Sequence, residues 1–535
     1  MVSYPVYDYW NALFKRFYVR TKKLRLKDID MNKTARKSFT KHLNSQMLIA
    51  VCYFAVYFIL GLSLLWKQPF GNPPDEFNRY LIPQYIAEHG TLPNGFDESI
   101  RIPAYGFSYA FQPILPYMVQ GYAMRLAGCF TQDGDILFYT ARVVDFIFGL
   151  IMAVFILLLS RKWFRDKRLQ WAFCFLTMFI PQGLFLHTYV NTDSCCMMSI
   201  AIMLYGLTCC LQDHFRCRSC LIMSAGIILC ALSYYNAYGF ILSCILLFTA
   251  HYLSLQNGRL RLDRKPFFKK GMFIALIVLM GIGWWFVRSY ILYDGDFLGL
   301  RTRNLCGELY GNEDMKADVR ITYQSMGYTI FSMLFRSDFL VLSLNSFICM
   351  YGPMVVTTAL WIYRFYKLLF LVGILGSLLP LSRFDGETKG IDFSGRRALG
   401  RFFHGNMVLC MLIPFVLSII YSYGIDYQPQ GRYLMPILIP LCYYCIRGLE
   451  KGSRLFCILV SRLPISHFHS GKGAITGESI SKTPEARQHR QQKRPVSEAL
   501  FDSLLTGLCG LLILVITAAA FLTIFGYAFP YYSAL

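Results

Sequence analysis

The chain repeats long apolar segments, each close to the length that crosses a lipid bilayer. Such a crossing takes about 20 apolar residues, and the segments must be helical because lipid offers no partner for free backbone polar groups. We therefore predict an all-α polytopic membrane protein. Its eleven spans cover residues 47–66, 140–159, 170–189, 194–211, 219–235, 238–255, 271–292, 353–374, 404–423, 431–447 and 503–526.

Composition supports a membrane protein and excludes several other classes. Hydrophobic residues make up 55% of the chain and charged residues 16%, whereas soluble domains carry about 25% charged residues. This excludes an ordinary soluble enzyme, a disordered chain and a secreted disulfide scaffold. The net charge of +22 is spread between the apolar segments, so we attribute it to membrane topology and predict no nucleic-acid partner.

The positions of the basic residues predict the orientation. Residues 1–46 hold eleven Lys/Arg and three Asp, and residues 161–168 and 259–270 hold five and six basic residues. Residues 67–139 hold seven Asp/Glu and four Lys/Arg. Because basic loops remain in the cytoplasm, we predict a cytoplasmic N-terminus and an extracytoplasmic C-terminus.

The spans divide the chain into four predicted regions. Residues 1–46 form a basic cytoplasmic segment and residues 47–447 a transmembrane core. The core contains a first long loop (67–139) with amphipathic helices and a later long loop (293–352), both external. Residues 448–502 are basic and rich in Ser, Gly and Gln, which predicts a disordered linker. Residues 503–535 form the last span and an external C-terminus.

The first long loop contains two adjacent acids, Asp75 and Glu76. They follow Pro73-Pro74 and begin a segment with apolar residues near helical spacing that ends at Gly90, which predicts a short interfacial helix. The helix dipole favours an ionised carboxylate at its start, and such a group is suited to act as a general base. The alternative is simple capping of a surface helix.

Further polar residues fall at predicted external helix ends. Asn191 and Asp193 either form a second acidic turn that orients an acceptor or a divalent ion, or simply cap the next helix. Arg432 either binds phosphate through its planar guanidinium or extends to the interface as a snorkelling residue.

Two other arginines lie near predicted helix ends. Arg288 lies among aromatic residues. Arg142 lies one turn from Asp145, so these two residues either have a functional role or only neutralise each other. Charges at membrane depth are costly, which favours functional roles for both arginines.

Five motifs occur in the same order as in a bacterial family. They are Asn-Pro-Pro-Asp-Glu at 72–76, Asn-x-Asp at 191–193, Trp-x-x-Arg at 285–288 followed by Tyr-Asp-Gly-Asp-Phe-Leu-Gly at 293–299, Ser-Phe-Ile-Cys-Met-Tyr-Gly at 346–352, and Gln-Gly-Arg-Tyr-Leu-x-Pro at 430–436. Over about residues 47–447 the chain resembles an uncharacterised "predicted membrane protein" family that is itself similar to the GT-C superfamily of glycosyltransferases. The first-loop acids are shared more widely, with protein O-mannosyltransferases and lipid A aminoarabinose transferases.

The resemblance implies a reaction and a set of roles. GT-C enzymes move a sugar from a polyprenyl-phosphate carrier to an acceptor outside the membrane, with inversion. By this resemblance Asp75 or Glu76 is the base, and Asp193 orients the acceptor. By the same resemblance the donor phosphate is bound by Arg432, Arg288 and Arg142. The candidates for the sugar pocket are Gln430, Tyr433, Trp285 and Tyr189. We predict no cofactor and no metal site, although a divalent metal stays open because some GT-C enzymes use one.

Three functions are compatible with these features. The first is a transferase that moves a sugar from a polyprenyl-phosphate donor to a cell-surface glycopolymer or glycolipid. The second is a polysaccharide polymerase or ligase with a lipid-diphosphate donor, which would depend on the later long loop and its arginines. The third is a transporter or flippase for a lipid-linked sugar, which would bind its substrate near the membrane midplane.

Overall fold

The computed structural model describes residues 33–256, 259–316, 318–380, 397–462 and 496–535. The chain divides into two compact units, Met1–Val56 and Tyr57–Leu535. The first unit contributes residues 33–56, the beginning of helix α1. All packing described below belongs to the second unit.

The described chain is almost entirely helical. Its helices are α1 (Lys33–Lys67), α2 (Glu76–His89), α3 (Leu115–Ala127), α4 (Gly134–Trp163), α5 (Lys167–Met178), α6 (Pro181–Leu186), α7 (Asp193–Asp213), α8 (Cys217–Ala231), α9 (Tyr238–Tyr252), α10 (Arg264–Leu292), α11 (Leu300–Tyr310), α12 (Ile330–Arg336), α13 (Phe339–Ile348), α14 (Leu360–Ser377), α15 (Arg397–Gly424), α16 (Leu438–Arg462), α17 (Val496–Thr523) and α18 (Phe529–Ala534). A π-helical turn, Ile524–Ala528, joins the last two. Short 3-10 helices lie at Glu98–Ile100, Tyr109–Phe111, Tyr235–Ala237, Glu313–Met315 and Gly431–Ile437.

The protein is a multi-pass membrane protein, but the predicted count of eleven spans is not confirmed. Among the described residues, seven helices are long and apolar enough to cross a membrane: Ser45–Lys67, Gly134–Trp163, Asp193–Asp213, Arg264–Leu292, Leu360–Ser377, Ala398–Gly424 and Glu498–Ala534. The pair α12 and α13, bent by 58°, gives eight if it counts as one span.

The other four predicted spans correspond to shorter or broken helices. Residues 170–189 are divided between α5 and α6, because Pro181 begins a new helix. Helices α8 and α9 have 15 residues each, or about 22 Å, against about 30 Å of hydrocarbon. The predicted boundary between the spans 219–235 and 238–255 coincides with the 3-10 helix Tyr235–Ala237. Residues 431–437 are 3-10 rather than α-helical.

Two further differences from the sequence-based expectations concern the hairpin and the linker. The chain is not purely α-helical, because β1 (Leu253–Gln256) and β2 (Arg259–Leu262) form an antiparallel pair. The predicted linker at 448–502 is helical at both ends, since α16 continues to Arg462 and α17 begins at Val496. Residues 463–495 of that linker, and residues 1–32 of the predicted basic segment, lie outside the described residues.

The first long loop is folded onto the helices that surround it. Helix α2 spans the predicted interfacial segment and ends at Gly90 in the left-handed conformation, as expected. Helices α2 and α3 approach closely at Gly121, where a Cβ atom would lie 2.7 Å from Ile86. Their apolar side chains form one buried cluster with Val190, Leu232 and Trp285. This packing fixes the start of α2, where the adjacent acids lie.

The C-terminal end of the chain holds both long loops. The Asn72 side-chain amide donates to the Tyr531 hydroxyl at 3.4 Å. The Gly352 backbone N–H donates to the Tyr532 hydroxyl at 3.2 Å. The last helix therefore contributes to the position of the Asn72–Asp75 turn.

Candidate active site

Four charged side chains from three separate elements meet at the start of α2. The Arg432 Nη2 atom lies 2.5 Å from Asp75 Oδ2. The guanidinium of Arg79 lies 3.7 Å from the same Asp75 oxygen and 3.8 Å from Asp193 Oδ2. We call Arg432, Asp75, Arg79 and Asp193 the Arg–Asp chain. Its formal charges cancel, so it is neutral as a whole.

Asp75 presents its carboxylate rather than capping the helix. The residue precedes α2 with φ 62° and ψ 5°, and its side chain makes no capping hydrogen bond. Asp and Asn tolerate this left-handed conformation better than most residues. The side chain is 33% exposed, the most accessible of the Arg–Asp chain. The alternative of simple capping by Asp75 is therefore not what the structure contains.

The charge state of Asp75 is set by its two arginine neighbours. Burial alone would raise the pKa of its carboxyl, but the charges of Arg432 and Arg79 and the hydrogen bond from Arg432 outweigh burial. Together they lower the pKa to about 2. The carboxylate is therefore ionised at neutral pH in the absence of a ligand.

Arg432 is buried yet only partly bonded. Its Nη2 atom donates to Asp75 and, at 3.3 Å, to the Tyr433 hydroxyl. Its Nε and Nη1 atoms have no hydrogen-bond partner among the described residues. Buried donors without partners are costly, so these two are suited to an anionic ligand.

The glycine of the Gln-Gly-Arg-Tyr motif explains how Arg432 is positioned. A Cβ atom at Gly431 would lie 2.0 Å from the backbone nitrogen of Phe347, so the 3-10 helix packs directly on α13. The Gly431 N–H also donates to Ser346 Oγ at 2.7 Å. Two of the motifs found in the sequence thus meet beside Arg432.

The remaining motif residues beside Arg432 are polar. The Gln430 side-chain oxygen is buried without a partner among the described residues. The Tyr433 hydroxyl donates to Gln428, and its ring lies 5.2 Å from the Arg432 guanidinium carbon. Both sugar-pocket candidates therefore adjoin the Arg–Asp chain.

Glu76 is not part of the Arg–Asp chain. It is buried in an ion pair with Arg142, and each of its carboxylate oxygens accepts two hydrogen bonds. Arg142 donates to both of its oxygens, at 2.8 and 2.6 Å. The backbone N–H groups of Val190 and Gly71 supply two more hydrogen bonds at 3.1 Å. Both side chains of the pair are 0% exposed. With four donors on two oxygens, Glu76 has no free acceptor position for a substrate proton.

Arg142 completes its hydrogen bonding with three backbone carbonyls at the end of α1 and the beginning of the first long loop. It donates to Leu65, Gln68 and Pro69 at 2.9, 2.7 and 3.1 Å. It does not neutralise Asp145, which instead accepts from Gln120 at 2.7 Å. Arg142 therefore ties α4 to the turn before α2, and it does not face the Arg–Asp chain.

The second acidic turn contains Asn191 and Asp193. Asp193 belongs to the Arg–Asp chain, and Asn191 supports the backbone next to it. The Asn191 amide donates to the carbonyls of Leu186 and Tyr189 at 2.8 and 2.7 Å, and its oxygen accepts from the Ser194 N–H at 2.9 Å. Asn191 thus shapes the start of α7. Asp193 is 2% exposed and reaches Arg79.

Tyr189 lies fully buried behind the same turn. Its hydroxyl has no hydrogen-bond partner among the described residues, and it lies within electrostatic range of Arg432 and Asp193. It therefore adjoins the Arg–Asp chain, as expected of a pocket residue.

Two predicted residues lie elsewhere. Trp285 is 1% exposed within the apolar cluster under the first long loop. Arg288 lies 5.3 Å from the Trp285 ring and donates to the Pro93 carbonyl at 2.7 Å. These contacts hold the first long loop, and none joins Arg288 to the Arg–Asp chain within the described residues.

Arg79 is the charged residue that the sequence analysis missed. It is 5% exposed, connects Asp75 with Asp193, donates to Thr192 Oγ1 at 3.3 Å and stacks 5.4 Å from the Tyr109 ring. A signal was available, because Asp75 and Arg79 are four residues apart at the start of a predicted helix, a spacing that favours ion pairs.

The sequence matches the family described as "Predicted membrane protein (DUF2142)" over residues 98–441. The match includes four of the five motifs, while Asp75, Glu76 and Arg79 precede it. No curated protein matches the chain.

Among solved structures, three of the archaeal oligosaccharyltransferase from Archaeoglobus fulgidus are similar. AglB in complex with an inhibitory peptide and a dolichol-phosphate has a TM-score of 0.41 at 15% identity, covering 88% of this chain and 56% of that one. The apo form has a TM-score of 0.40 at 16% identity, covering 88% of this chain and 56% of that one. The complex with Zn and sulfate has a TM-score of 0.38 at 17% identity, covering 76% of this chain and 51% of that one. The chain thus spans about half the length of these structures.

The family match covers well over half of the chain and contains the residues around Asp193 and Arg432. It confirms the family expected from the order of the motifs. The chain belongs to the DUF2142 family of predicted membrane proteins.

Proposed function

We propose that the protein is an inverting membrane glycosyltransferase that uses a polyprenyl-phosphate sugar on the extracytoplasmic face. The observation that carries the proposal is the contact between Asp75 and Arg432. It puts an accessible carboxylate next to a buried guanidinium with unpartnered donors. The acceptor is a hydroxyl of a surface glycopolymer or glycolipid.

The reaction needs one base and one anion site. The acceptor oxygen attacks the anomeric carbon while Asp75 takes the hydroxyl proton. The bond from that carbon to the phosphate oxygen breaks, and the phosphate leaves with the electron pair. Arg432 and Arg79 stabilise the charge that develops on the phosphate. A single displacement inverts the configuration, and the phosphate needs no general acid.

The contact between Asp75 and Arg432 also links donor binding to the basicity of Asp75. A carboxylate with a pKa of about 2 is a weak base, because catalytic pKa values work best near the operating pH. A donor phosphate competes for the Arg432 guanidinium and withdraws it from Asp75. Loss of that neighbouring charge raises the Asp75 pKa when the donor is bound.

This link predicts different pH profiles for two kinetic constants. Because kcat/KM reports the free enzyme, titration of Asp75 should not lower kcat/KM between about pH 4 and 8. The acid limb of kcat, which reports the enzyme–substrate complex, should lie at higher pH. Initial rates at saturating and limiting donor measure both. An acid limb in kcat/KM that disappears in kcat would contradict the proposed competition.

Replacing Arg432 with Gln should weaken donor binding by about 1.5–3 kcal/mol, the typical value for a hydrogen bond to a charged group. Binding of undecaprenyl phosphate to the purified protein in nanodiscs measures this directly. Arg301→Gln, at an exposed arginine of α11, is the matched control and should bind like the unaltered protein. Equal affinity of the Arg432 variant and the control would exclude Arg432 as the phosphate ligand.

The function itself is tested with purified protein in liposomes and a panel of radiolabelled undecaprenyl-phosphate sugars. Incorporation of label into an extracted surface polymer or glycolipid, dependent on one donor of the panel, is the expected result. Label that crosses the bilayer on its carrier without transfer would instead indicate the flippase. Transfer from a diphosphate donor alone would indicate the polymerase or ligase.

A further inference from the structure

Two arginines of the later long loop, Arg303 and Arg320, lie against aromatic rings of the first long loop. Arg303 belongs to α11, and Arg320 follows the 3-10 helix Glu313–Met315. The Arg303 guanidinium carbon lies 5.1 Å from the Phe107 ring, and that of Arg320 lies 5.4 Å from the Tyr105 ring. Both rings belong to the first long loop, so the two arginines lie where the two long loops meet.

The junction of the two loops is tightly built. Gly106 has φ +71°, and a Cβ atom there would lie 2.1 Å from the backbone nitrogen of Gly311. A Cβ atom at Gly299 would lie 2.3 Å from the Phe111 carbonyl oxygen. The Asn312 N–H also donates to the Ala104 carbonyl at 3.1 Å. These close backbone contacts hold the two arginines in a fixed position.

Neither arginine has a carboxylate partner within ion-pair distance in the described part of the chain. Arg303 Nε is buried without a hydrogen-bond partner there, and Arg320 Nε donates to the Met315 carbonyl at 2.6 Å. Burial lowers the pKa of Arg303, and the Arg320 charge lowers it further. Asp426 lies within electrostatic range of Arg320 without pairing with it.

Tyrosines lie between these two arginines and the Arg–Asp chain. Tyr105 lies within electrostatic range of both Arg320 and Asp75. Tyr109 lies within range of Arg303, and its ring stacks on Arg79. Phenol rings between the Arg–Asp chain and the two arginines provide surfaces on which a sugar can pack. A substrate at Asp75 can therefore extend to Arg303 and Arg320.

We propose that Arg303 and Arg320 form a second anion site, which binds a phosphoryl group of the glycosyl substrate other than the phosphate at Arg432. The inference rests on the proposed function. Guanidinium forks match phosphoryl oxygens, and an anion supplies the counter-charge that the two arginines lack. Under the proposed function the second phosphoryl group belongs to a phosphate-bearing acceptor, whereas in the alternative polymerase or ligase it belongs to a lipid-diphosphate donor.

Binding without turnover tests the site and separates the two sources. The full-length protein in phosphatidylcholine nanodiscs is titrated with undecaprenyl phosphate, undecaprenyl diphosphate and a soluble glycerol-phosphate oligomer. The double variant Arg303→Gln/Arg320→Gln should bind the diphosphate or the oligomer at least about tenfold more weakly, as expected for lost charged hydrogen bonds. Its affinity for undecaprenyl monophosphate should remain within about twofold.

Two controls make the result decisive. Arg301→Gln, from the same helix, should leave all affinities unchanged, and the unfolding temperature of each variant checks its folding. Weakening of the diphosphate alone assigns the site to the donor, and weakening of the oligomer alone assigns it to the acceptor. The proposal is overturned if the unaltered protein binds neither, if the double variant binds both normally, or if it loses the monophosphate equally. Because no transfer is measured, the proposed function can fail while this site stands.

Discussion

An Asp75→Asn protein should transfer sugar about 10²- to 10⁴-fold more slowly than the unaltered protein, the range typical for loss of a general base. Asn has the same shape and tolerates the left-handed backbone at φ 62°, but it cannot accept the acceptor's proton. Donor binding should be equal or tighter, because Arg432 loses the carboxylate that competes with phosphate. Purified membranes with a radiolabelled polyprenyl-phosphate sugar give the rates, and equilibrium binding gives the affinity.

The matched control is Asp97→Asn, in the same long loop. Asp97 caps a 3-10 helix, accepts from Ser99 at 3.0 Å and lies away from the arginines. This variant should transfer at the normal rate. If it loses as much activity as Asp75→Asn, the effect reflects disturbance of the loop, and the assignment of the base fails.

Replacing Arg142 with Gln should destabilise the protein by about 3–5 kcal/mol, the cost of leaving a buried partner charge uncompensated. Glu76 would then be buried as an unpaired anion, and three carbonyls at the end of α1 and the beginning of the first long loop would lose their donors. Thermal unfolding measured with a thiol-reactive dye suits this chain, because all its cysteines except Cys52, Cys129 and Cys217 are buried.

A second variant separates charge from packing at the same position. The double change Glu76→Gln/Arg142→Gln removes both charges and should be less destabilised than Arg142→Gln alone. Arg301→Gln serves as a surface control and should unfold like the unaltered protein. An Arg142→Gln protein as stable as this control would show that the buried pair contributes little to the fold.

The membrane character and much of the local structure could be predicted from the sequence. Apolar length predicted the helices, proline and glycine predicted the ends of α2, and the boundary between the predicted spans 219–235 and 238–255 falls at the break between α8 and α9. The count of eleven spans is not confirmed, because apolar composition does not determine helix length. Helices α5, α8 and α9 have 12, 15 and 15 residues, whereas a crossing takes about 20.

The division of roles between the adjacent acids could not be predicted either. Asp75 and Glu76 have the same charge and the same sequence neighbourhood, and only contacts distant in the chain separate them. Glu76 meets Arg142, 66 residues away, and Asp75 meets Arg432, 357 residues away. The order of the motifs correctly identified the family. Arg288 and Trp285 contact the first long loop, and their roles in donor and sugar binding stay predictions.

The most direct measurement compares the transfer rates of Asp75→Asn and Glu76→Gln, each divided by the amount of folded protein. If Asp75 takes the acceptor's proton and Glu76 only holds the loop, Asp75→Asn should be nearly inactive while folded Glu76→Gln keeps most of its activity. Normal transfer by Asp75→Asn, together with loss of transfer by fully folded Glu76→Gln, would contradict the proposed active site.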